Sequence, residues 1–229
     1  MAESTLLLGI DTCGPTGSVA LGRWSGQTME VLGQIELEGR NYSSTLVAAI
    51  GELLAGAGIQ LGQLSAVVVV NGPGSFTGVR VGLAAVKGLA ESARIPVVAV
   101  SRLEVLAAKA GVRTTALDAH RHEVYLRLDV AGEQARELLA GTHELAAVDF
   151  PPTRIAICDE AAVLLIGEAW PAAELVRTAV PTAGDALRLC ATRVAAGDFV
   201  DLALLDGHYL RRSDAEIFGE AIAPGPQRA

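Results

Sequence analysis

Few of the usual carriers of chemistry occur in this 229-residue chain. Its three cysteines, Cys13, Cys158 and Cys190, form no CxxC pair, which excludes a disulfide framework and a zinc-ligand pattern and leaves buried thiols as the expectation. The four histidines, His120, His122, His143 and His208, make no HxxH, HxxxH or HExxH pair. A metallohydrolase would have no ligand set, and no metal site is expected; His120 and His122, beside Arg121, read as surface residues of a turn. No run reaches the roughly 18 consecutive apolar residues needed to cross a bilayer. "TLLLGI" meets Asp11 with no basic segment before it and no cleavage signal, so a cytoplasmic location is expected. Positive charge is also scarce: Lys and Arg number 5 against 7 Asp and Glu in residues 1–100, and 13 against 19 thereafter, for a net charge of −8. Binding RNA or DNA leans on cations that neutralise phosphate, so any nucleic-acid role would need a partner to supply them.

What is present is aliphatic. With 51% hydrophobic residues and 4% aromatics, the chain can bury one substantial core or two small ones. "TLLLGID" (5–11), "GSVALGRW" (17–24) and "MEVLGQIELE" (29–38) predict three strands of a meander. Residues 43–58 predict an amphipathic helix, with Leu46, Ile50, Leu53 and Ala57 at i, i+4, i+7 and i+11 and candidate caps between Asn41 and Ser44. "SAVVVV" (65–70) and "IPVVAV" (95–100) predict buried strands flanking a helix from about Gly78 to Ala93. The order βββαβαβ is that of an α/β domain with a mixed sheet. From Ser101 the pattern partly restarts, with a helix over 101–111, strands at 114–119, 123–130 and 154–159, and a helix over 184–197. A second, weaker copy of the same sheet is expected, dividing the chain into lobes at 1–100 and 101–229.

The second long helix has more apolar surface than one face requires. On a wheel of 100° per residue, Arg80, Lys87, Glu91 and Arg94 fall within a stripe about 60° wide. Val79, Leu83, Val86 and Ala90 cluster on one flank and can cover the sheet, whereas Val81, Ala85, Gly88 and Ser92 form a flank of small side chains that admits another helix. That helix is either 43–58 of the same chain or part of another subunit. On the second reading, Leu46, Ile50, Leu53, Val81, Ala85, Gly88 and Ser92 form the partner interface.

Between strand and helix lies "NGPGSFTGVR" (71–80), placed where nucleotide enzymes cradle phosphate. It matches no catalytic pattern. The nearest lysine is Lys87, too late for a P-loop; Gly72, Gly74 and Gly78 give GxGxxxG and not the dinucleotide spacing; and Ser75 is flanked two residues away by Pro73 and Thr77, not by the glycines of a nucleophile elbow. No base accompanies Ser75, which disfavours a peptidase. A bend at Gly72–Pro73–Gly74 with Ser75 or Thr77 capping the helix explains the loop structurally. Asp11 and Asp118 each end the first strand of a lobe. In actin-like and sugar-kinase folds such carboxylates orient magnesium, but "DTCGPTGSVAL" lacks the open Gly/Ser/Thr hairpin of those proteins, and Pro15 removes an N–H. Asp11, Thr12, Gly72, Gly74, Ser75, Thr77 and Asp118 are therefore the candidate phosphate-binding positions.

Together "LLLGIDTCGPTGSVAL", "VVVVNGPGSFTGVRVGLAAVKGLAESARIPVVAVSRLEVLA", "LDAHRHEVYLRLD" and "HYLRRSDAE" resemble, in order and spacing, the TsaB (YeaZ) family. The likeness is dense over 5–130, returns near 209–216, and holds only in outline between 131 and 200. The resemblance implies a two-lobed actin-like ATPase/sugar-kinase (ribonuclease H-like) α/β fold with mixed sheets and a reduced second lobe. It implies a catalytically silent relative of the transferase TsaD, acting in threonylcarbamoyladenosine formation on tRNA. TsaD carries a metal-binding histidine motif on its first long helix; "GRNYSSTLVAAI" has none, with Tyr42 where many family members have histidine. The implied partners are TsaD or a second copy through the first-lobe helices, the ATPase TsaE as a third component, and tRNA only through the complex. No cofactor is implied for this chain alone. An autonomous ATPase or small-molecule kinase using ATP or ADP with magnesium at Asp11 and Asp118 is the alternative.

Overall fold

The computed structural model describes residues 5–38, 41–129 and 135–211. Val130 of the strand expected over 123–130, and residues 212–216 of the C-terminal motif, lie outside them. The first lobe opens with the meander β1 (Thr5–Asp11), β2 (Thr16–Trp24) and β3 (Met29–Glu38). It continues through α1 (Tyr42–Gly56), β4 (Ala66–Val70), α2 (Phe76–Ala93) and β5 (Val97–Val100). The sheet order is β3-β2-β1-β4-β5, antiparallel through the meander and parallel from β1 to β4 to β5. β4 is buried at every residue, as a β-branched run covered on both faces should be.

After α3 (Arg102–Ala110) the chain builds the same sheet again. β6 (Thr115–Asp118), β7 (Val124–Leu128) and β8 (Arg136–Ala140) repeat the meander, and α4 (Thr142–Ala146) leads to β9 (Arg154–Ile157). α5 (Glu160–Ala169), β10 (Glu174–Arg177) and α6 (Ala183–Ala195) complete the repeat. The order β8-β7-β6-β9-β10 matches the first sheet strand for strand. This is the duplicated α/β architecture of the actin-like fold, with mixed sheets. The second copy is smaller: its strands have 4 or 5 residues and α4 has 5, against 15 in α1.

Side-chain alternation shows what covers each face of the first sheet. Gly17 and Gly33 lie beneath Tyr42 and Leu53 of α1. Their neighbours Ser18 and Gln34 face the other way and accept hydrogen bonds from Ala183 N–H (2.8 Å) and Gly184 N–H (3.1 Å), the unpaired donors at the start of α6. α1 and α2 thus cover one face and α6 the other, and Ala183, Ala186, Leu187, Cys190 and Val194 belong to the first-lobe core. α3, which follows the strands of the first sheet as α6 follows those of the second, is its counterpart in the repeat: Leu103 and Leu106 pack with Leu117 and Tyr125 of the second lobe. A boundary between residues 100 and 101 therefore separates the two sheets but not the two cores.

Candidate functional site: a sealed turn and an open helix face

The glycines of residues 72–78 are required by backbone contact. Ser75 N–H donates to Cys13 O at 2.7 Å, the Thr12 hydroxyl donates to Gly78 O at 2.7 Å, and the Cys13 thiol donates to Val70 O at 3.2 Å. A Cβ on Gly74 would lie 2.1 Å from Cys13 O, one on Gly78 2.0 Å from Thr12 O, and one on Gly82 2.3 Å from the Thr12 hydroxyl. These glycines let the α2 entrance lie directly on the β1–β2 turn. Ser75 Oγ accepts from Gly78 N–H at 3.2 Å and caps α2, which begins at Phe76, two residues earlier than the sequence suggests.

The turn is sealed from beneath as well. Arg102, at the start of α3, is 6% exposed and reaches Asp11, which is 1% exposed. Its Nε lies 3.5 Å from Asp11 Oδ2. A Cβ on Gly14 would meet the guanidinium at 2.4 Å. Asp11 Oδ1 accepts from Cys13 N–H at 2.8 Å, and the Tyr42 hydroxyl donates to Gly14 O at 2.8 Å. Burial is the largest influence on Arg102 and opposes its charge, but Asp11 together with the smaller contributions of Cys13, Cys158 and Tyr42 outweighs it and keeps the guanidinium ionised. Burial, then the Asp11 charge, pushes the Cys13 thiol well above its ordinary value. Burial likewise raises Cys158 to about 11 and Cys190 to about 12, so all three behave as protonated thiols.

The candidate phosphate positions thus divide. Asp11, Thr12, Gly72 and Gly74 come together, but against one another and Arg102. Ser75 is exposed and spent as a cap, and Thr77 is exposed on α2. Asp118 stays within its own hairpin, where Oδ1 accepts from His120 N–H at 2.7 Å and Oδ2 lies 2.9 Å from His120 Nδ1. A magnesium nucleotide needs a free carboxylate beside open backbone N–H groups. The residues present do not fit one, since Asp11 faces a buried arginine and the N–H groups of Cys13, Ser75 and Gly78 are already donated within the turn. Among the described residues no cluster of three His, Cys, Asp or Glu could hold a metal ion, and no helix is long and apolar enough to cross a membrane.

Of the candidate interface residues, Leu46 and Ile50 are corrected. They are 1% and 3% exposed and face the sheet, because the apolar ridge of α1 is consumed by the chain's own core. Leu53 is half-buried against the same core. The exposed flank of α1 is instead Val47, Ala48, Gly51 and Ala55, with Val47 62% exposed. Beside it on α2 lie Ala84, Gly88 and Ser92, exposed, and Val81 and Ala85, half-buried. Nothing lies within 4 Å of a Cβ built on Gly51 or Gly88, so this flank is open. Val79, Leu83, Val86 and Ala90 are buried, as the wheel predicts.

A second cluster was not legible in sequence. A cleft of about 480 Å³ where the lobes meet is lined by Asn71, Ser101, Arg127, Glu137, Arg193 and His208, among others. Glu137 Oε2 accepts from the Ser101 hydroxyl at 2.6 Å and lies 2.8 Å from His208 Nε2; Oε1 accepts from Arg127 at 2.8 Å. Burial pushes the carboxyl up, but the hydrogen bonds from His208, Ser101 and Arg127 outweigh it and leave it below its usual range. The segment ending at Arg211 crosses between lobes here. His208 N–H donates to Asn71 O at 2.7 Å, and Arg211 donates to Ala119 O at 2.7 Å and to Glu123.

Residues 31–196 match the family model described as "TsaD: tRNA N6-adenosine threonylcarbamoyltransferase". The chain belongs to the TsaD family. Within it the likeness is to the TsaB (YeaZ) members. It is 38% identical over 126 residues to the tRNA threonylcarbamoyladenosine biosynthesis protein TsaB of Bacillus subtilis, covering 53% of this chain and 54% of that one. It is 36% identical over 129 residues to TsaB of Haemophilus influenzae, covering 54% and 53%. The chain thus spans about half the length of the curated relatives it matches. The solved structure of YeaZ from Pseudomonas aeruginosa superposes with a TM-score of 0.73 at 28% identity, over 90% of this chain and 100% of that one.

Proposed function

We propose that this chain is a non-catalytic subunit of tRNA threonylcarbamoyladenosine biosynthesis that binds and stabilises a TsaD-type threonylcarbamoyltransferase through the exposed flank of α1 and α2. The observation that carries the reading is the sealed turn. The place where an actin-like ATPase would hold phosphate is closed by Arg102 on Asp11 and by Gly74 and Gly78 on the Thr12–Cys13 backbone. The names of the TsaB relatives support the pathway. A second copy of the chain would use the same flank when the transferase is absent. TsaE and tRNA would join through the assembled pair, since a net charge of −8 leaves this chain ill-suited to RNA.

Gly88→Glu tests the surface. A side chain there meets nothing within 4 Å and suits a helix better than glycine, so the monomer should fold. Titrating the purified transferase should give an affinity about 100-fold below wild type, because the added carboxylate would be buried unpaired. Unchanged affinity would move the interface elsewhere. For the autonomous ATPase reading, the measurement is magnesium-dependent ATP turnover by the isolated chain, with Asp11→Ala as control; turnover lost in that variant would overturn the scaffold reading.

A further inference from the structure

On the edge of α2 away from α1, Phe76, Arg80 and Lys87 meet Leu205, Asp206 and Tyr209 around a pocket of about 360 Å³. The Arg80 guanidinium carbon sits 3.6 Å from the centre of the Phe76 ring and 5.9 Å from that of Tyr209, and the rings lie 5.0 Å apart at 50°. A guanidinium stacked by its face on an aromatic ring keeps its in-plane N–H donors available for a partner. Among the described residues neither Arg80 nor Lys87 has an ion pair or hydrogen bond. Asp206, the carboxylate of the pocket, has its Oδ1 engaged by the N–H of Gly207 at 2.7 Å. A chain with an excess of acidic residues therefore keeps two unpaired cations in one concavity, beside apolar surface of Phe76 and Tyr209 that is 36% and 37% exposed.

We infer that this pocket receives a carboxylate-bearing segment of a partner protein, with an Asp or Glu side chain on the Arg80 fork and an adjacent apolar side chain against the aromatic pair. A planar guanidinium with fixed orientation matches a carboxylate through two parallel hydrogen bonds, and Lys87 adds a second positive charge. The rings supply apolar area at little entropic cost. Nucleic acid is the poorer match, because phosphate recognition along a strand needs a run of cations, and here there are two. The pocket borders the α1–α2 flank at Ala84, so the inference rests on the proposed function in taking the transferase as the partner.

The experiment measures transferase affinity at 50 and 500 mM NaCl for wild type, Arg80→Glu, Arg80→Lys and Gly88→Glu, with urea midpoints confirming that each variant folds. Arg80→Glu is expected to weaken binding at least 10-fold at low salt and to abolish its salt dependence. Arg80→Lys should be weakened less, since it keeps the charge but loses the fork and the stack. Wild-type affinity in Arg80→Glu alongside lost affinity in Gly88→Glu would overturn the pocket and leave the function standing. No binding by folded wild type would overturn both. Intact transferase affinity in Arg80→Glu with weakened tRNA capture by the assembled pair would replace the protein carboxylate with RNA phosphate.

Discussion

The two lobes share one strand order and place an aspartate at the same point of it, yet the two aspartates live in opposite environments. Asp11 ends β1 inside the protein, against a buried arginine drawn from the next helix; Asp118 ends β6 at the rim of an exposed hairpin and serves His120 beside it. The loops that follow differ in the same way. In the first lobe the chain from β4 to α2 lies on the β1–β2 turn through Gly74 and Gly78. In the second, Asp159 follows β9 almost at once, caps α5 through Ala162 N–H at 2.7 Å and accepts from Asp118 N–H at 2.9 Å. One topology thus carries a sealed, glycine-dependent junction and a short, side-chain-capped one. Strand order sets where a site could stand; the residues that fill the turn decide whether it is open.

The largest expected break in this comparison is Asp11→Ala against Asp118→Ala. Removing Asp11 strands a buried guanidinium and should cost about 3–5 kcal/mol, whereas removing Asp118 should cost about 1 kcal/mol. Urea unfolding of both variants decides it, and equal losses would mean that Arg102 is not held by Asp11. Next come two glycines in corresponding helices. Gly78→Ala would set a methyl 2.0 Å from Thr12 O and should destabilise by about 3 kcal/mol. Gly167→Ala in α5, whose added Cβ would sit 3.9 Å from Leu175 Cδ1, should stabilise by about 0.5–1 kcal/mol. Opposite signs in thermal midpoint are the readout.

The smallest effect concerns the joint between the lobes. Because Glu137 is held below the ordinary carboxyl value of 4.5 in the folded state, its stabilising contribution is complete above that pH. It is lost as pH falls through the folded value. Glu137→Gln should therefore lower the urea midpoint at pH 7 and flatten its fall between pH 5 and 3 relative to wild type. Parallel curves for the two proteins would show that Ser101, Arg127 and His208 do not depend on the charge.

Much of the first lobe was legible because its strands are long and its helices carry period. β1, β3 and β4 fall within a residue of their expected bounds. Between 131 and 182 only β9 is foreseen, at 154–159, and the rest of the signal fails for physical reasons. β8 and β10 have 5 and 4 residues, too few for alternation to register, and "EAAVLLIGEA" is an apolar run that a strand could also present. The site failed differently. Periodicity finds the apolar ridge of α1 but cannot tell that the sheet uses it, so the partner reading includes Leu46 and Ile50, which are buried, and omits Val47 and Gly51, which are exposed. The pairing of Asp11 with Arg102, and of Glu137 with His208, joins elements remote in sequence and leaves no local mark.

The exchange of helices between lobes has a consequence for synthesis. Among the described residues α6 is the last regular element to emerge, yet it covers the inner face of a sheet whose strands are complete by residue 100. Until it arrives, Gly9, Ser18, Ala20 and Gly22 face water, and the early half of the chain carries an uncovered sheet as it leaves the ribosome. The first sheet is closed only after the second has been made, and a nascent chain stopped before Thr182 would be a candidate for chaperone capture.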